Sequence, residues 1–349
     1  MSDRKIPETW PTYRLDAARM GTMDFGAPRK LGAVKWSFRS AVGLRSAPAL
    51  VDGALFFGDL DGKFFALDAS SGDILWSASA GAPVFTAPAV AGDLVFFGAD
   101  NGKLLALRRE TGEPAWEFQT GGKVRAAPVA TRDCVYAGSS DHWFYALDRA
   151  NGTLRWKIDA GARVTSPATV MGESICFGTS GGAVHAISTD RGRALWTART
   201  GGPVTAAPLV EDGQVIVGSY DRDLHCYDIK SGKTKWRFPT GLSISTAVAS
   251  GAGRVYFTST DANIYALDPV AGKLIWKYRT PWSAAASPVF VDGVVYVASY
   301  SGPLYALDAA TGVLVFSGAI GSTVFAEPII TSSAIYMAFD DGRLSALGA

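Results

Sequence analysis

The sequence predicts an all-β fold, a single ring of eight four-stranded antiparallel blades, and three observations carry that prediction. Tryptophan stands at Trp36, Trp76, Trp116, Trp156, Trp196, Trp236 and Trp276, 40 residues apart each time, with Phe316 next in the series; a period of about 40–50 residues is the length of a propeller blade. Each unit reads as four short apolar runs separated by turn residues, with no helix-length pattern of period 3.6. The 349 residues hold eight such units, and the remainder of about 29 falls at the N-terminal end.

Taken in chain order, residues 1–30 form an arm expected to pack along the ring, and residues 31–349 form the propeller. Blades are expected at about 43–79, 83–119, 123–159, 162–199, 203–239, 243–279, 283–317 and 322–347. The second unit shows the pattern. Phe85–Val90 ends at Gly92-Asp93, Leu94–Phe97 ends in the run Gly98 to Gly102, Leu104–Leu107 ends near Thr111-Gly112, and Ala115–Phe118 closes the unit. Gly and Asp at these breaks are the residues that tight turns demand. A proline column (Pro48, Pro88, Pro128, Pro208, Pro288, Pro328) and a glycine column (Gly72 to Gly312 in steps of 40) keep the same beat. The last unit stops at Ala346-Leu347-Gly348-Ala349, before a tryptophan strand of its own. Leu31–Trp36 supplies the missing portion, so residues 31–39 are expected to complete the eighth blade as its outer strand and to remove the open edge of the ring.

Composition narrows the function. With 33 Lys and Arg against 32 Asp and Glu, the formal charge is +1, which excludes nucleic-acid binding driven by bulk charge. Hydrophobic residues at 48% against 19% charged supply ample material for a packed interior. No apolar run approaches the roughly 18 residues of a membrane helix. The opening MSDRKIPETW has no apolar core of a secretory signal, so the expected location is the cytoplasm, with the periplasm the alternative if the chain is a processed form. Cys134, Cys176 and Cys226 are far apart and odd in number, which suits reduced, buried thiols.

Within a repeat, positions that break the pattern with distinctive chemistry are the functional candidates. Just before the proline column the innermost strands carry Arg45, Phe85, Arg125, Thr205, Ser245, Ala285 and Phe325, with Val164 or Thr165 in the shifted fourth unit. Glu327 occupies a column otherwise held by Ala or Ser. Charges beside a narrow channel are costly unless hydrated or paired. Arg45, Arg125 and Glu327 are therefore expected either to pair across a wet channel mouth or to hold a polar or anionic ligand there, with Phe85, Phe325 and Trp282 as an apolar wall. The turns between second and third strands, read as Asp59, Asp100, Ser140, Ser180, Tyr220, Thr260, Tyr300 and Asp340, would add carboxylates and hydroxyls. His185 and His225 share one column of adjacent units and read as packed or hydrogen-bonded histidines, so no metal site is expected. No nucleophile–base arrangement or carboxylate pair supports a catalytic assignment.

Eleven residues repeat most tightly, from Ala66-Leu67-Asp68 through Gly72 to Trp76, and recur at Ala146–Trp156 and Ala266–Trp276 with degraded copies in other units. They resemble the tryptophan-docking motif, A-x-D-x-x-T-G-x-x-x-W, of the quinoprotein-like, PQQ-repeat eight-bladed propellers, over residues from about 31 to the end. The resemblance implies that the seven tryptophans, from Trp36 to Trp276, are structural, each stacked on the glycine turn of the adjacent blade. It also spans several functions: quinone-dependent dehydrogenases holding PQQ with calcium on inserted loops, the propeller lipoprotein of the outer-membrane β-barrel assembly machinery, and scaffold propellers. This chain has no inserted loop, no adjacent cysteine pair, and no cysteine before Cys134 to carry a lipid. No cofactor is expected, PQQ with calcium being the alternative. The expected function is a non-catalytic, monomeric ring that binds a protein or peptide partner through one face. The alternative is a small-molecule site at the channel mouth, with or without catalysis.

Overall fold

The computed structural model describes residues 22–23, 26–283, 286–300 and 303–348. Eight antiparallel sheets form the ring. Blade 1 runs from the innermost strand outward as Ala49–Val51, Ala54–Gly58, Lys63–Asp68 and Ile74–Ser79. The same order recurs in blades 2 to 7 at 89–119, 129–159, 169–199, 209–239, 249–279 and 289–319. Blade 8 consists of Ile329–Ile330, Ala334–Ala338, Arg343–Gly348 and, outermost, Val34–Arg39 from the other end of the chain. The predicted closure therefore holds, with Phe38 opposite Leu344 and the Ser37 and Ser345 hydroxyls 2.7 Å apart.

Most of the predicted arm lies outside the described residues. Thr22–Met23 runs parallel to the innermost strand of blade 7, Val289–Val291, and gives that blade a fifth strand on its axis-facing edge. Pro28 is buried and accepts a hydrogen bond from the Tyr296 hydroxyl, and Gly32 bonds to Gly348 at 2.8 Å where the two chain ends meet. In other blades the equivalent tyrosine donates to the motif turn of the next blade, as Tyr336 does to the Ala69 carbonyl and Tyr256 to that of Ala309. The arm thus supplies at the seam a carbonyl that elsewhere comes from an unbroken turn.

Blade-to-blade packing follows from the columns. Phe64 of blade 1 stacks on Phe97 of blade 2 at 3.9 Å, and Phe144 of blade 3 on Phe177 of blade 4 at 4.3 Å. Each tryptophan on an outermost strand covers the glycine 36 residues on and bonds the carbonyl 33 residues on. For Trp76 these are Gly112, where a Cβ would lie 2.5 Å from the indole, and the Arg109 carbonyl at 2.9 Å. Gly112 has φ +74°, so both the backbone and the ring require glycine there. Trp36 makes the same contact across the seam, with its indole N–H on the Ala69 carbonyl at 3.0 Å.

The antiparallel order divides the ring into two faces. Turns between first and second and between third and fourth strands lie on the arm face, which Pro28 and Asp292 occupy. Turns between second and third strands and the connections between blades lie on the opposite, mouth face.

Candidate functional site

The blade connections rise over the mouth face and descend into short innermost strands, so residues just before those strands ring the channel opening. They enclose a cavity of 210 Å³ whose lining includes Arg45, Phe85, Arg125, Phe325 and Glu327. Thr165, Thr205, Ser245 and Thr246 complete an opposite, hydroxyl-bearing side. The mouth is thus two-sided, with alternating Phe and Arg over blades 8 to 3 and hydroxyls over blades 4 to 6.

Both arginines stand in the same local structure. Arg125 lies over the Phe85 ring at 4.3 Å and grips Asp100 with two hydrogen bonds, Nε at 2.7 Å and Nη2 at 2.6 Å; Lys123 adds a third at 2.9 Å. Arg45 lies over Phe325 at 4.5 Å and bonds Asp340 through Nε at 2.7 Å and Nη2 at 3.4 Å. In each case phenyl ring and carboxylate belong to the preceding blade, so two clamps of one design stand two blades apart, one of them across the seam. The carboxylate hydrogen bonds raise both guanidinium pKa values. Partial burial disfavours the Asp100 carboxylate, but the bonds from Arg125 and Lys123 hold its pKa below the usual range. Paired guanidinium groups stacked on phenyl faces are rigid donors with N–H groups left over, not bare charges.

Other predicted residues fall around this centre. Glu327 is buried at the cavity wall. Trp282 is 57% exposed and outside the lining; it stands on the rim with Tyr300, Tyr220 and Leu242, each 45–50% exposed. Tyr300 meets Phe325 edge-on at 5.2 Å, which joins the rim to the Arg45 clamp. Asp59 is a correction. It is 1% exposed, accepts the Ser40 hydroxyl at 2.6 Å and the amides of Asp61 and Lys63, and takes no part in the mouth. The register of the repeat gives Leu60, not Asp59, as the partner of Asp100 and Asp340. The sequence reading missed Lys123, signalled as the second cation of the Arg125 connection, and Leu242, signalled as a large apolar residue in the column of Trp282.

The histidines are structural. His225 Nε2 bonds Asp221 at 2.9 Å, the position in which the Tyr145 and Tyr265 hydroxyls bond Asp141 and Asp261. Among the described residues Asp221, Asp223 and His225 form one group whose ligand atoms lie within 4.8 Å of one another. Asp221 also accepts the Gly201 amide and Asp223 pairs with Arg237, so the group is held by protein partners. In blade 4 glycine replaces the aspartate, and His185 instead stacks on Phe177 at 5.0 Å and contacts Thr197, burial lowering its pKa.

A ring of eight PQQ-type blades, closed by its N-terminal strand and open at one mouth, places the protein in the class of quinoprotein-like propellers. A family model described as outer membrane protein assembly factor BamB matches residues 27–158, 140–281 and 239–349, and the chain belongs to this family. Among solved structures, BamB from Moraxella catarrhalis is 20% identical over 92% of this chain and 100% of its own, with a TM-score of 0.80. The computationally designed Ika8 protein is 18% identical over 91% of this chain and 100% of its own (TM-score 0.82), and a europium-containing methanol dehydrogenase 13% identical over 99% of both (TM-score 0.84). At such identities the likeness concerns the fold. No curated protein sequence matches the chain. The mouth is a poor fit to a quinone held with a metal ion. Glu327 is the one carboxylate in the described lining, both arginines are engaged by aspartates, and 210 Å³ is below the range of about 300–1,000 Å³ usual for ligand pockets.

Proposed function

We propose that the protein is a non-catalytic scaffold that binds a partner protein through the mouth face. The observation that carries this reading is the arc of exposed Tyr220, Leu242, Trp282 and Tyr300 standing beside two immobilised arginines. Trp, Tyr and Arg are the side chains that dominate interface energies, and they do so best when held rigid before the partner arrives. The described N-terminal segment lies on the arm face at blades 7 and 8, where Pro28 meets Tyr296 and Gly32 meets Gly348, whereas the exposed aromatic residues stand on the mouth face. The family description, an assembly factor, supports a role in joining proteins. A small anionic ligand is the weaker reading, because Asp100 and Asp340 already take up the arginine charges.

The test is a photo-reactive residue placed at Trp282 or at Tyr300, with Leu154 on the outer edge as control, irradiated in source cells. The expected result is one protein adduct from both mouth positions and none from Leu154, with Trp282→Ala weakening the purified pair by about tenfold or more. Absence of an adduct at both mouth positions would overturn the reading.

A further inference from the structure

Although the chain is nearly neutral, its charge is concentrated in one place. The outer edges of blades 4, 5 and 6, residues 188–199, 228–239 and 268–279, hold ten Lys and Arg against three Asp, and all ten are exposed. The equivalent edges of blades 1 and 7, residues 68–79 and 308–319, hold no Lys or Arg. The three carboxylates are engaged within their own turns: Asp228 accepts the Lys230 and Ser231 amides, Asp268 those of Val270 and Ala271, and the Ser188 hydroxyl holds the Asp190 carboxyl below its usual pKa. Arg237 pairs with Asp223 of the neighbouring strand. Ten cations against those three aspartates and Asp223 leave a surplus of six positive charges on one arc of the rim.

Aliphatic tips project among these cations. Val270 is 73% exposed, and Leu274, Ile275 and Leu195 are each 43–45% exposed. Such a mixture distinguishes between polyanions. A nucleic acid would be met by cations and by aromatic stacking, and the exposed large hydrophobics of this arc are all aliphatic. Lysines and arginines around branched aliphatic tips instead match the boundary between phosphate headgroups and acyl chains, where basic residues gain from the surface potential and apolar tips gain from leaving water.

We propose that the outer edge of blades 4 to 6 docks onto an anionic lipid bilayer surface. The ring would then meet the bilayer edge-on and leave its mouth face clear, so docking does not depend on the scaffold reading and can fail without it.

The experiment uses the purified full chain and vesicles of phosphatidylcholine with or without about 30% phosphatidylglycerol, read by co-sedimentation. Binding is expected to the anionic vesicles only, and to fall sharply between 0.05 and about 0.5 M salt as the Debye length shortens. Lys233→Glu with Lys235→Glu and Lys277→Glu should reduce binding at least about tenfold. Val270→Ser with Ile275→Ser should reduce it with the charge intact, and Lys63→Ala, at an exposed lysine of blade 1, should leave it unchanged. All substituted residues are exposed, and an unaltered melting temperature checks the fold. Equal binding to neutral vesicles, no binding to either, or indifference to both sets of rim substitutions would overturn the proposal. So would tighter binding to a DNA duplex that Val270→Ser with Ile275→Ser leaves untouched.

Discussion

Trp156 shows how much rests on one side chain of the repeat. Its ring covers Gly192 of the next blade and its indole N–H reaches the Thr189 carbonyl at 3.3 Å. Truncation opens a cavity between blades and strands that carbonyl, so Trp156→Ala is expected to cost about 3–5 kcal/mol in denaturant unfolding. A loss under about 1 kcal/mol would show that the indole is dispensable. The tryptophan and glycine columns were legible in the sequence because each residue performs one task in every blade. The Arg125 and Arg45 clamps were legible only as outliers. Their carboxylates come from the preceding blade, 25 positions earlier for Asp100 and across the seam for Asp340, so no local pattern joins them. Asp59 was misplaced by one position because aspartate serves equally well at either place in a turn; the 40-residue register, and the bonds its buried carboxylate accepts from Ser40, Asp61 and Lys63, separate the two.

At the scale of the element, the turn between third and fourth strands is the unit that sets pH dependence. In blades 1, 3, 5, 6 and 7 an aspartate accepts successive amides of its own turn, as Asp68 does from Ser70 and Ser71, with the Ser70 hydroxyl in addition. Hydrogen bonds of this kind lower the pKa of Asp68, Asp228 and Asp308, and the Arg155 guanidinium leads the lowering at Asp148. A carboxyl with a folded-state pKa below its unfolded value stabilises the fold above that unfolded value, about 3.9, and loses the contribution as pH falls through the folded one. Melting temperature is therefore expected to fall steeply below about pH 4, after a shallower loss that starts as pH drops through about 6.5, where the half-buried His185 must charge against its lowered pKa. A melting temperature unaltered down to pH 2.5 would show that the turns do not depend on these charges. The strands themselves were legible from turn chemistry and alternation, whereas Thr22–Met23 was not: two residues make no periodicity, and their pairing partner lies at the far end of the chain.

For the molecule as a whole, stability depends on a circle being complete. Removing residues 1–40 takes away Val34–Arg39 and the Trp36 contact, and leaves Arg343–Gly348 as an open edge. The truncated chain is expected to melt at lower temperature or to aggregate, and a melting temperature equal to that of the full chain would refute the role of the closing strand. The closure also has a consequence for biosynthesis. Ser37 leaves the ribosome 308 residues before Ser345, the residue whose hydroxyl it meets. Throughout most of translation the strand for the eighth blade is present without its partner, while the newest blade shows an unpaired flank. Folding can build blades one after another, but the cooperative ring forms only once Arg343–Gly348 has been made, and a nascent chain long delayed before that point is the form most exposed to misassembly and in greatest need of a chaperone.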